Sequence, residues 1–255
     1  MEILSPRQTE ILALARESGR VDVEELAVSF KVSSQTIRKD LNDLCEKQLL
    51  QRIHGGAIVG SGIENVSYEA RRLLAPDSKR AIGLRAAQLI PDNSSMLINI
   101  GTTTEQVAHA LKDHRGLLVI TNNVNAVGIM KNFLGIELII AGGQVRRSDG
   151  GIIGGAAVDF INQFKVDYAV IGVSAIDEDG SLLDYDFSEV RVAQAIIANA
   201  RHVILVADLM KLERKAPFRI GHISQINTLV TDGDLPQRLQ AICKEHEVRV
   251  FIAQP

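Results

Sequence analysis

The stretch RVDVEELAVSFKVSSQTIRKDLNDLCEKQLLQRIHGGA, residues 20–57, decides the fold of the N-terminal part of the chain. Ser33 is a favourable helix N-cap, and Ile37, Leu41 and Leu44 follow at the i, i+4, i+7 spacing of an amphipathic helix. Two shorter helices are predicted before it. After it, residues 49–59 alternate between apolar and polar around a Gly-Gly turn, which predicts a two-stranded wing. The pattern therefore predicts a winged helix-turn-helix.

The polar side of the third helix carries residue types that bind DNA. Gln and Arg make paired hydrogen bonds to base edges, Ser, Thr and Lys suit phosphates, and the first turns of such a helix enter the major groove. In the wing, the Gly-Gly turn allows a close backbone approach to a groove or phosphate. A plain solvated helix face is the alternative for one basic dipeptide. The candidate DNA-contacting residues are Ser33, Ser34, Gln35, Thr36, Arg38, Lys39, Arg52 and His54.

The charge of the chain argues neither for nor against nucleic acid. The formal net charge is -3, and residues 1–60 hold eight Lys or Arg against nine Asp or Glu. Electrostatic attraction to phosphates is the sequence-independent part of DNA affinity. Non-specific affinity should therefore be modest, and paired DNA-binding heads in a dimer or larger oligomer should matter.

From residue 78 the sequence changes to a strand–helix–strand rhythm. Near-continuous apolar segments alternate with helical patterns, which predicts an α/β fold with a mostly parallel sheet covered on both faces. The predicted strands are SMLINI, LLVIT, IELIIA, VDYAVIGV, HVILVA, NTLVT and VRVFI. We expect a DNA-binding domain at residues 1–57, a linker at 58–77 and an effector domain at 78–255.

Three polar loops follow successive predicted strands. Gly101, Thr102, Thr103 and Thr104 open a helix, whose free N–H groups and positive dipole end attract phosphate. Thr121, Asn122 and Asn123 follow the next strand, and Gly142 and Gly143 follow the third. Because ligands of open parallel sheets bind beyond the strand carboxyl ends, the loops predict one crevice. Taken singly, each loop also fits ordinary turn chemistry, and Thr104 fits a helix cap.

The N-terminal motifs resemble those of the DeoR family of regulators. The family pattern Val-Ser-x-x-Thr-Ile-Arg-x-Asp-Leu is present as Val32, Ser33, Thr36, Ile37, Arg38, Asp40 and Leu41. The wing pattern Arg-x-His-Gly-Gly-Ala is present as Arg52, His54, Gly55, Gly56 and Ala57. The resemblance extends over nearly the whole chain. Residues 148–154 and 159–161 follow the subgroup that responds to glycerol 3-phosphate.

The resemblance implies a DNA-binding transcriptional repressor of carbon-metabolism genes. It implies an effector domain similar in fold to ribose-5-phosphate isomerase, with phosphate held at residues 101–104 and a pocket lined by Thr121, Asn122, Asn123 and Lys211. It also implies release from double-stranded operator DNA by a phosphorylated sugar or polyol, with glycerol 3-phosphate as the first candidate, and a dimeric or tetrameric assembly. Another sugar phosphate as effector, or an activator function, stays open.

One segment departs from the family pattern. Its usual Asp-x-x-Lys-Phe-Gly-Arg is present as Asp208, Lys211, Leu212, Glu213 and Arg214. Glu213 replaces a glycine and adds a negative charge near the expected anion site. This departure bears on the identity of the effector.

A sugar-phosphate isomerase is the alternative from another class. Such a reaction needs an acid and a base beside the reacting carbons. The acidic clusters are Asp177, Glu178, Asp179, Asp184 and Asp186. Turns such as Asp179-Gly180 favour loop and surface carboxylates, and no His–carboxylate or Lys–carboxylate pair stands at a catalytic spacing. We therefore expect no catalytic residues and no enzymatic activity.

Composition excludes several other classes. Cys45 and Cys243 lie far apart, and the six histidines form no pair at metal-ligand spacing, so neither a disulfide framework nor a metal site is expected. The N-terminus lacks the layout of a signal peptide, and no apolar run is long enough to span a bilayer. A cytoplasmic protein without a cofactor or membrane partner is expected.

Overall fold

The computed structural model describes residues 4–18, 20–47, 49–53, 55–58 and 68–253. The chain divides into two compact units, Met1–Leu73 and Leu74–Pro255. Among the described residues, no helix combines the length and the apolar character that a bilayer crossing requires.

The first unit has short helices around a small antiparallel sheet. Its helices are α1 (Pro6–Ser18), α2 (Val23–Phe30), α3 (Ser34–Glu46) and α4 (Tyr68–Leu73), and its strands are β1 (Arg20–Asp22), β2 (Gln51–Ile53) and β3 (Gly56–Ile58). The strand order is β1-β3-β2, so the prediction of a two-stranded wing is incomplete. Val21 in β1 pairs with Ala57 in β3, and both are buried. Sequence periodicity could not reveal a strand of only three residues.

Helix α3 has the orientation that the sequence predicts. Its predicted apolar stripe, Ile37, Leu41 and Leu44, is fully buried. The helix begins after Ser33, whose Oγ accepts a hydrogen bond from the N–H of Thr36 at 3.2 Å. The cap satisfies one of the N–H groups that a helix start leaves without an intrahelical acceptor. The polar side of α3 is thereby fixed towards solvent.

The second unit contains a large sheet, two small sheets and several helices. The helices are α5 (Pro76–Ala87), α6 (Thr102–Ala110), α7 (Val124–Met130), α8 (Gly155–Ile161), α9 (Phe187–Ala198) and α10 (Gln237–Glu245), with 3-10 helices η1 (Leu209–Glu213) and η2 (Ile223–Gln225). The strands are β4 (Ser95–Ile98), β5 (Leu117–Thr121), β6 (Ile136–Ile140), β7 (Gln144–Val145), β8 (Ile152–Ile153), β9 (Val166–Ile171), β10 (Ala175–Ile176), β11 (Ser181–Asp184), β12 (Ala200–Val206), β13 (Phe218–His222), β14 (Thr228–Thr231) and β15 (Arg249–Ile252).

The large sheet has seven strands in the order β15-β14-β12-β9-β4-β5-β6. Every pairing in it is parallel, and its members coincide with the seven predicted strands. The chain runs from β4 outwards to β6 and then returns to β9 on the other side of β4. This reversal makes the carboxyl ends of β4 and β9 the topological switch point, where ligands of such sheets bind.

Two apolar cores cover the faces of this sheet, as predicted. Successive strand residues point to opposite faces, so Leu97 joins one core while Met96 and Ile98 join the other. The core of Leu97 includes residues of α8, α9 and α10. The second core includes residues of α5, α6 and α7. The strand ends at the switch point are therefore held by a rigid scaffold.

Two small antiparallel sheets lie outside the sequence prediction. Strands β7 and β8 form a hairpin between β6 and α8, and β10, β11 and β13 form a three-stranded sheet. β7, β8 and β10 have only two residues each, and β13 joins β11 from a distant part of the chain, with Leu182 opposite Gly221. Short strands and long-range pairings leave no local signal in the sequence.

Candidate functional site

The first turns of α3 present most of the predicted DNA-contacting residues. Gln35, Arg38 and Lys39 are exposed, and Ser34 and Thr36 are half-buried. Ser33 caps the helix, and its hydroxyl also lies 2.9 Å from the hydroxyl of Thr36. The first turn is thus fixed by its own side chains, while the longer polar side chains remain accessible.

A residue of α2 holds two of these side chains. The carboxylate of Glu24 accepts a hydrogen bond from Ser34 Oγ at 2.7 Å through Oε2, and its Oε1 lies 3.6 Å from Arg38 Nη2. The sequence prediction did not include Glu24, because its partners Ser34 and Arg38 lie on a different helix and the contact leaves no local pattern in the sequence. The contact couples α2 to the polar face of α3.

Asp40 anchors α3 to α1 on the inner side. Its carboxylate is almost fully buried and lies 2.6 Å from Arg7 Nε. This hydrogen bond is the main cause that raises the pKa of Arg7 above its ordinary value. One turn along, Gln8 Nε2 donates to Asp43 Oδ2 at 3.1 Å. The aspartate of the family motif is therefore buried between α3 and α1 and fixes the position of the helix.

Two of the residues around the predicted wing turn, Arg52 and Gly56, contact other parts of the first unit. Arg52 is exposed and donates from Nη1 to the main-chain oxygen of Gly56 at 3.2 Å, whereas His54 lies outside the described residues. A Cβ at Gly56 would lie 2.1 Å from the main-chain oxygen of Val21. Glycine at position 56 thus allows β3 to approach β1. Packing within the chain is therefore enough to explain this glycine, without a contact to nucleic acid.

The loop after β4 lies at the switch point. Gly101 precedes α6 with φ +143°, a conformation that favours glycine, and no side chain of the described residues caps this helix start. Thr102 and Thr103 are buried, and Thr104 is fully buried. The Thr104 hydroxyl lies 2.8 Å from the main-chain oxygens of Asn99 and Gly101, so it holds the loop rather than capping the helix.

The loop after β5 is tied to the loop after β4. Thr121 Oγ1 donates to the main-chain oxygen of Ile98 at 2.7 Å and accepts from the N–H of Asn123 at 3.0 Å. Asn123 caps α7 through Oδ1 and donates from Nδ2 to Glu105 Oε1 at 3.3 Å. The structure therefore brings the first two predicted loops together. The side chains of Thr121 and Asn123 form the hydrogen bonds that connect them.

Asn122 offers an unpaired acceptor in the same loop. Its Nδ2 donates to the main-chain oxygen of Ile152 at 3.1 Å, and the side chain is 1% exposed. Its Oδ1 is buried and has no hydrogen-bond partner among the described residues. A buried acceptor without a donor is costly, so this atom is suited to a ligand that supplies an O–H or N–H.

The third predicted loop follows the edge strand of the large sheet. Gly142 and Gly143 follow β6, the edge strand, two strands away from β4. A Cβ at Gly143 would lie 3.1 Å from Ile152 Cγ2, so glycine allows close packing against β8. Because the main-chain oxygen of Ile152 accepts a hydrogen bond from Asn122 Nδ2, Gly143 packs against a residue that is tied to the second loop.

The ends of β9 and β12 complete the switch point, and the sequence prediction did not include them. A Cβ at Gly172 would lie 3.6 Å from Thr104 Cγ2 and 4.0 Å from the main-chain oxygens of Ile100 and Val206. Asp208, two residues after β12, is 3% exposed, and its Oδ1 has no hydrogen-bond partner among the described residues. A carboxylate directly after the buried strand HVILVA was the available signal.

Lys211 and Glu213 both belong to η1. Lys211 is half-buried, and its N–H donates to the main-chain oxygen of Asp208 at 3.0 Å. Glu213 ends η1 and is exposed. Helix η1 thus ties Lys211 to the strand end that carries Asp208.

A charge cluster fastens the β7–β8 hairpin to α9. Arg146 contacts Asp149 at 2.6 Å, Asp186 at 2.8 Å and Glu189 at 2.6 Å. Burial would lower the pKa of Arg146, but Asp149 and Glu189 outweigh it and raise the pKa above its ordinary value. Burial would raise the pKa of Asp186. The N–H of Glu189 and the guanidinium of Arg146 outweigh this effect and lower the pKa below its ordinary value. The guanidinium is occupied by these carboxylates.

The acidic residues considered for catalysis separate into two groups. Asp177, Glu178 and Asp179 belong to the β10–β11 turn, where Arg238 approaches Glu178 at 3.2 Å and Arg219 approaches Asp179 at 3.8 Å. Asp184 is buried and accepts from Ser174 Oγ at 2.8 Å, so its interpretation as a surface carboxylate is wrong. Among the described residues, no group of three His, Cys, Asp or Glu could hold a metal ion.

Comparison with family models covers both units. A model of the DeoR C-terminal sensor domain matches residues 75–233, and a model of the DeoR-like helix-turn-helix domain matches residues 7–61. The chain belongs to the DeoR family.

Several relatives of this DeoR-family chain match it over almost their whole length. The glycerol-3-phosphate regulon repressor of Escherichia coli (strain K12) is 42% identical over 244 residues, which is 96% of this chain and 97% of that protein. Its Haemophilus influenzae counterpart is 44% identical over 248 residues, 97% and 96% of the two chains. The HTH-type transcriptional repressor CsqR of E. coli is 37% identical over 250 residues, 98% and 96%. The chain is a transcriptional regulator rather than an enzyme.

Solved structures align with this DeoR-family chain at TM-scores below 0.5. Ribose 5-phosphate isomerase A from Methanocaldococcus jannaschii aligns with a TM-score of 0.40 and 16% identity over 54% of each chain. eIF2B beta from Chaetomium thermophilum aligns with a TM-score of 0.46 and 14% identity over 88% of this chain and 76% of that chain. The predicted fold class, a helix-turn-helix followed by a mostly parallel α/β domain, is confirmed.

Proposed function

We propose that this DeoR-family repressor leaves its operator when a phosphorylated polyol or sugar binds the crevice at the switch point. Glycerol 3-phosphate is the first candidate. The observation that carries the proposal is the uncapped start of α6 after Gly101, at the topological switch point of a parallel sheet. Two relatives that match almost the whole chain are named as glycerol-3-phosphate regulon repressors.

The DNA end of the proposal rests on α3. Its exposed Gln35, Arg38 and Lys39 have the reach and the hydrogen-bonding groups for base edges and phosphates. Ser34 and Thr36 contribute shorter polar contacts near the helix start. Arg52 of the wing reaches the backbone of the duplex. Since one head of this charge binds weakly, a dimer or tetramer presents paired heads to repeated half-sites.

In this proposal, main-chain N–H groups rather than arginine side chains bind the phosphate group of the ligand. The first turn of α6 leaves N–H groups at residues 102–104 without intrahelical acceptors, and Thr102 and Thr103 add hydroxyls. Arg146 already contacts three carboxylates, so it is a poor candidate for a phosphate ligand. Lys211 of η1 is the cation that we assign to the same crevice.

The remainder of the ligand carries hydroxyl groups in this proposal. Asn122 Oδ1 and Asp208 Oδ1 are buried acceptors that the described residues leave unpaired, one on each side of the strands at the switch point. Polyols and sugars supply the matching O–H donors. Another sugar phosphate is the second candidate, because Glu213 departs from the family pattern and adds a negative charge near the expected anion site.

Linkage provides the switch. A hundredfold loss of operator affinity requires about 2.7 kcal/mol of coupling, within the usual range for allosteric proteins. In this proposal, ligand binding closes the crevice, and residues 58–77 between the two domains transmit the change to the placement of the DNA-binding heads. The protein acts in the cytoplasm, where its operator lies.

Fluorescence anisotropy with DNA from the gene's own and neighbouring promoters tests the proposal. Titrations at fixed salt, with and without glycerol 3-phosphate, should give tight binding that the ligand weakens. Tight binding that is indifferent to this ligand but weakened by another sugar phosphate would select the second candidate. Binding that no phosphorylated polyol or sugar weakens would contradict the inducer model.

A further inference from the structure

We propose that Glu24 is a positioning residue for sequence recognition: its carboxylate holds Ser34 and Arg38 in the arrangement that reads the operator. The inference rests on the proposed DNA contacts of α3. Glu24 lies on α2, outside the recognition helix. Each of its two carboxylate oxygens faces a different side chain of α3, Ser34 at 2.7 Å and Arg38 at 3.6 Å.

The position of this carboxylate is fixed by the fold. Glu24 is in the first turn of α2, where its N–H donates to Asp22 Oδ1 at 2.9 Å. The preceding N–H, of Val23, donates to the main-chain oxygen of Gly55 at 2.9 Å. Leu26, two residues on, is buried. The start of α2 is therefore held by both the sheet and the core, so Glu24 provides a firm point of attachment.

The two partners lie on one face of α3. Ser34 and Arg38 are four residues apart, a spacing that puts side chains one above the other on a helix. An arginine side chain has many rotamers, and restricting them before binding reduces the entropy lost when it meets a base. The Glu24 carboxylate, held by the Ser34 hydroxyl, thus restricts the rotamers of the Arg38 side chain.

The contact is too exposed to act mainly through stability. The side chains of Arg38 and Glu24 are 58% and 69% exposed, and surface ion pairs of this kind contribute little to folding. A carboxylate on a DNA-facing surface also repels phosphates. Removing it should therefore have two opposite effects, a gain in general DNA affinity and a loss of discrimination between sequences.

The test compares Glu24→Gln with Glu25→Gln, Arg38→Ala and the double variant Glu24→Gln/Arg38→Ala. Glu25→Gln is the matched control, because it removes the same charge one residue away on the same helix turn. Anisotropy titrations at fixed salt use the operator mapped by footprinting, its single-base-pair variants and an unrelated duplex. Equal melting temperatures show that the variants fold.

We expect Glu24→Gln to lower discrimination against the base-pair variants that Arg38 reads by about three- to tenfold. Affinity for the unrelated duplex should stay equal or rise. In the Arg38→Ala background, the same substitution should change discrimination by less than about twofold. Glu25→Gln should leave discrimination unchanged.

Two results would overturn the inference in distinguishable ways. If Glu24→Gln and Glu25→Gln raise affinity for every duplex equally and discrimination is kept, Glu24 acts only through its charge, while the proposed reading by Arg38 stands. If Arg38→Ala leaves discrimination at every position intact, Arg38 does not read bases, and both the proposed DNA contact and the role of Glu24 fail.

Discussion

The buried carboxylate of Asp40 lies 2.6 Å from Nε of Arg7 and joins the first helix of the DNA-binding unit to its recognition helix. The aspartate belongs to the motif that identifies the family, yet it faces inward. The motif therefore encodes both the residues that reach solvent and the residue that fixes their helix. The helix that carries the proposed DNA contacts is thus held in place by a contact on its inner side.

Arg7→Ala should lower the local stability of the DNA-binding unit by about 1–2 kcal/mol, since Asp40 would stay buried without its partner. The partial exposure of Arg7 keeps the loss at the lower end. Hydrogen exchange of the α1 and α3 amides measures the effect. Lys39→Ala, a change at the exposed neighbour of Asp40 on α3, is the control and should stay within about 0.5 kcal/mol. Unchanged protection in Arg7→Ala would refute a structural role for the pair.

Arg146→Met should destabilise the second unit by about 3 kcal/mol, because Asp149, Asp186 and Glu189 would lose their common partner. Arg147→Met is a matched control, since Arg147 is the exposed neighbour and its loss should cost little. Urea denaturation of both variants provides the comparison. Equal midpoints for the two would show that the cluster does not stabilise the hairpin.

Thr103→Ala should weaken the response to ligand and leave ligand-free operator binding unchanged, because Thr103 lies in the first turn of α6. The operator should then stay bound at ligand concentrations that release the unmodified protein. Anisotropy with increasing ligand measures this shift. Loss of operator binding without ligand would instead indicate misfolding.

Gly172→Ala adds one methyl group at the carboxyl end of β9, beside the proposed ligand crevice. The new Cβ would have only ordinary van der Waals contacts, 3.6 Å or longer, so the fold should tolerate it within about 1 kcal/mol. If the ligand binds between the ends of β4 and β12, its affinity should fall at least fivefold, about 1 kcal/mol. Calorimetric titration measures the affinity. Full ligand affinity in a stable variant would show that the ligand does not bind beside the carboxyl end of β9.

His202 predicts a pH dependence of stability. Burial, and then the charge of Arg249, lower the pKa of His202 below its ordinary value of 6.5. The folded protein therefore binds this proton less readily than the unfolded chain, so the contribution is present above about pH 6.5 and is lost as pH falls towards the lower folded pKa. Melting temperature should decline over this interval.

His202→Gln should flatten that decline. Asp179→Asn is the control, since the pKa of Asp179 is lowered from an ordinary value of 3.8 by its hydrogen bonds with Ser181, and its effect belongs to more acidic solutions. Differential scanning calorimetry between about pH 7.5 and pH 5.5 separates the two. An unchanged slope in His202→Gln would rule out this residue as the cause.

The sequence was sufficient for the large elements. The seven parallel strands are near-continuous apolar runs, and α3 has a regular stripe beginning after a clear cap, Ser33. The position of Gly101 after β4 could also be predicted from the sequence, since a glycine between an apolar strand and a helix is typical of loops that bind phosphate. Local pattern and local chemistry agree at these positions.

The sequence was insufficient where partners come from distant segments. Strand β1 is too short for a pattern, and Gly56 is explained only by the approach of Val21. Glu24 gains its role from two side chains on another helix, and Asp208 from lying beside a switch point that the strand order creates. Gly142 and Gly143 resembled the first two loops in sequence but follow an edge strand.

Release of the operator by glycerol 3-phosphate requires reciprocal linkage between the two binding sites. Isothermal titration calorimetry would measure glycerol 3-phosphate binding to the free protein and to the protein saturated with operator at the same salt. If the ligand releases the repressor, operator weakens ligand binding by the same factor by which ligand weakens operator binding, on the order of a hundredfold. Equal ligand affinity in the two states would contradict it, because a ligand without preference for the DNA-free state cannot release the operator.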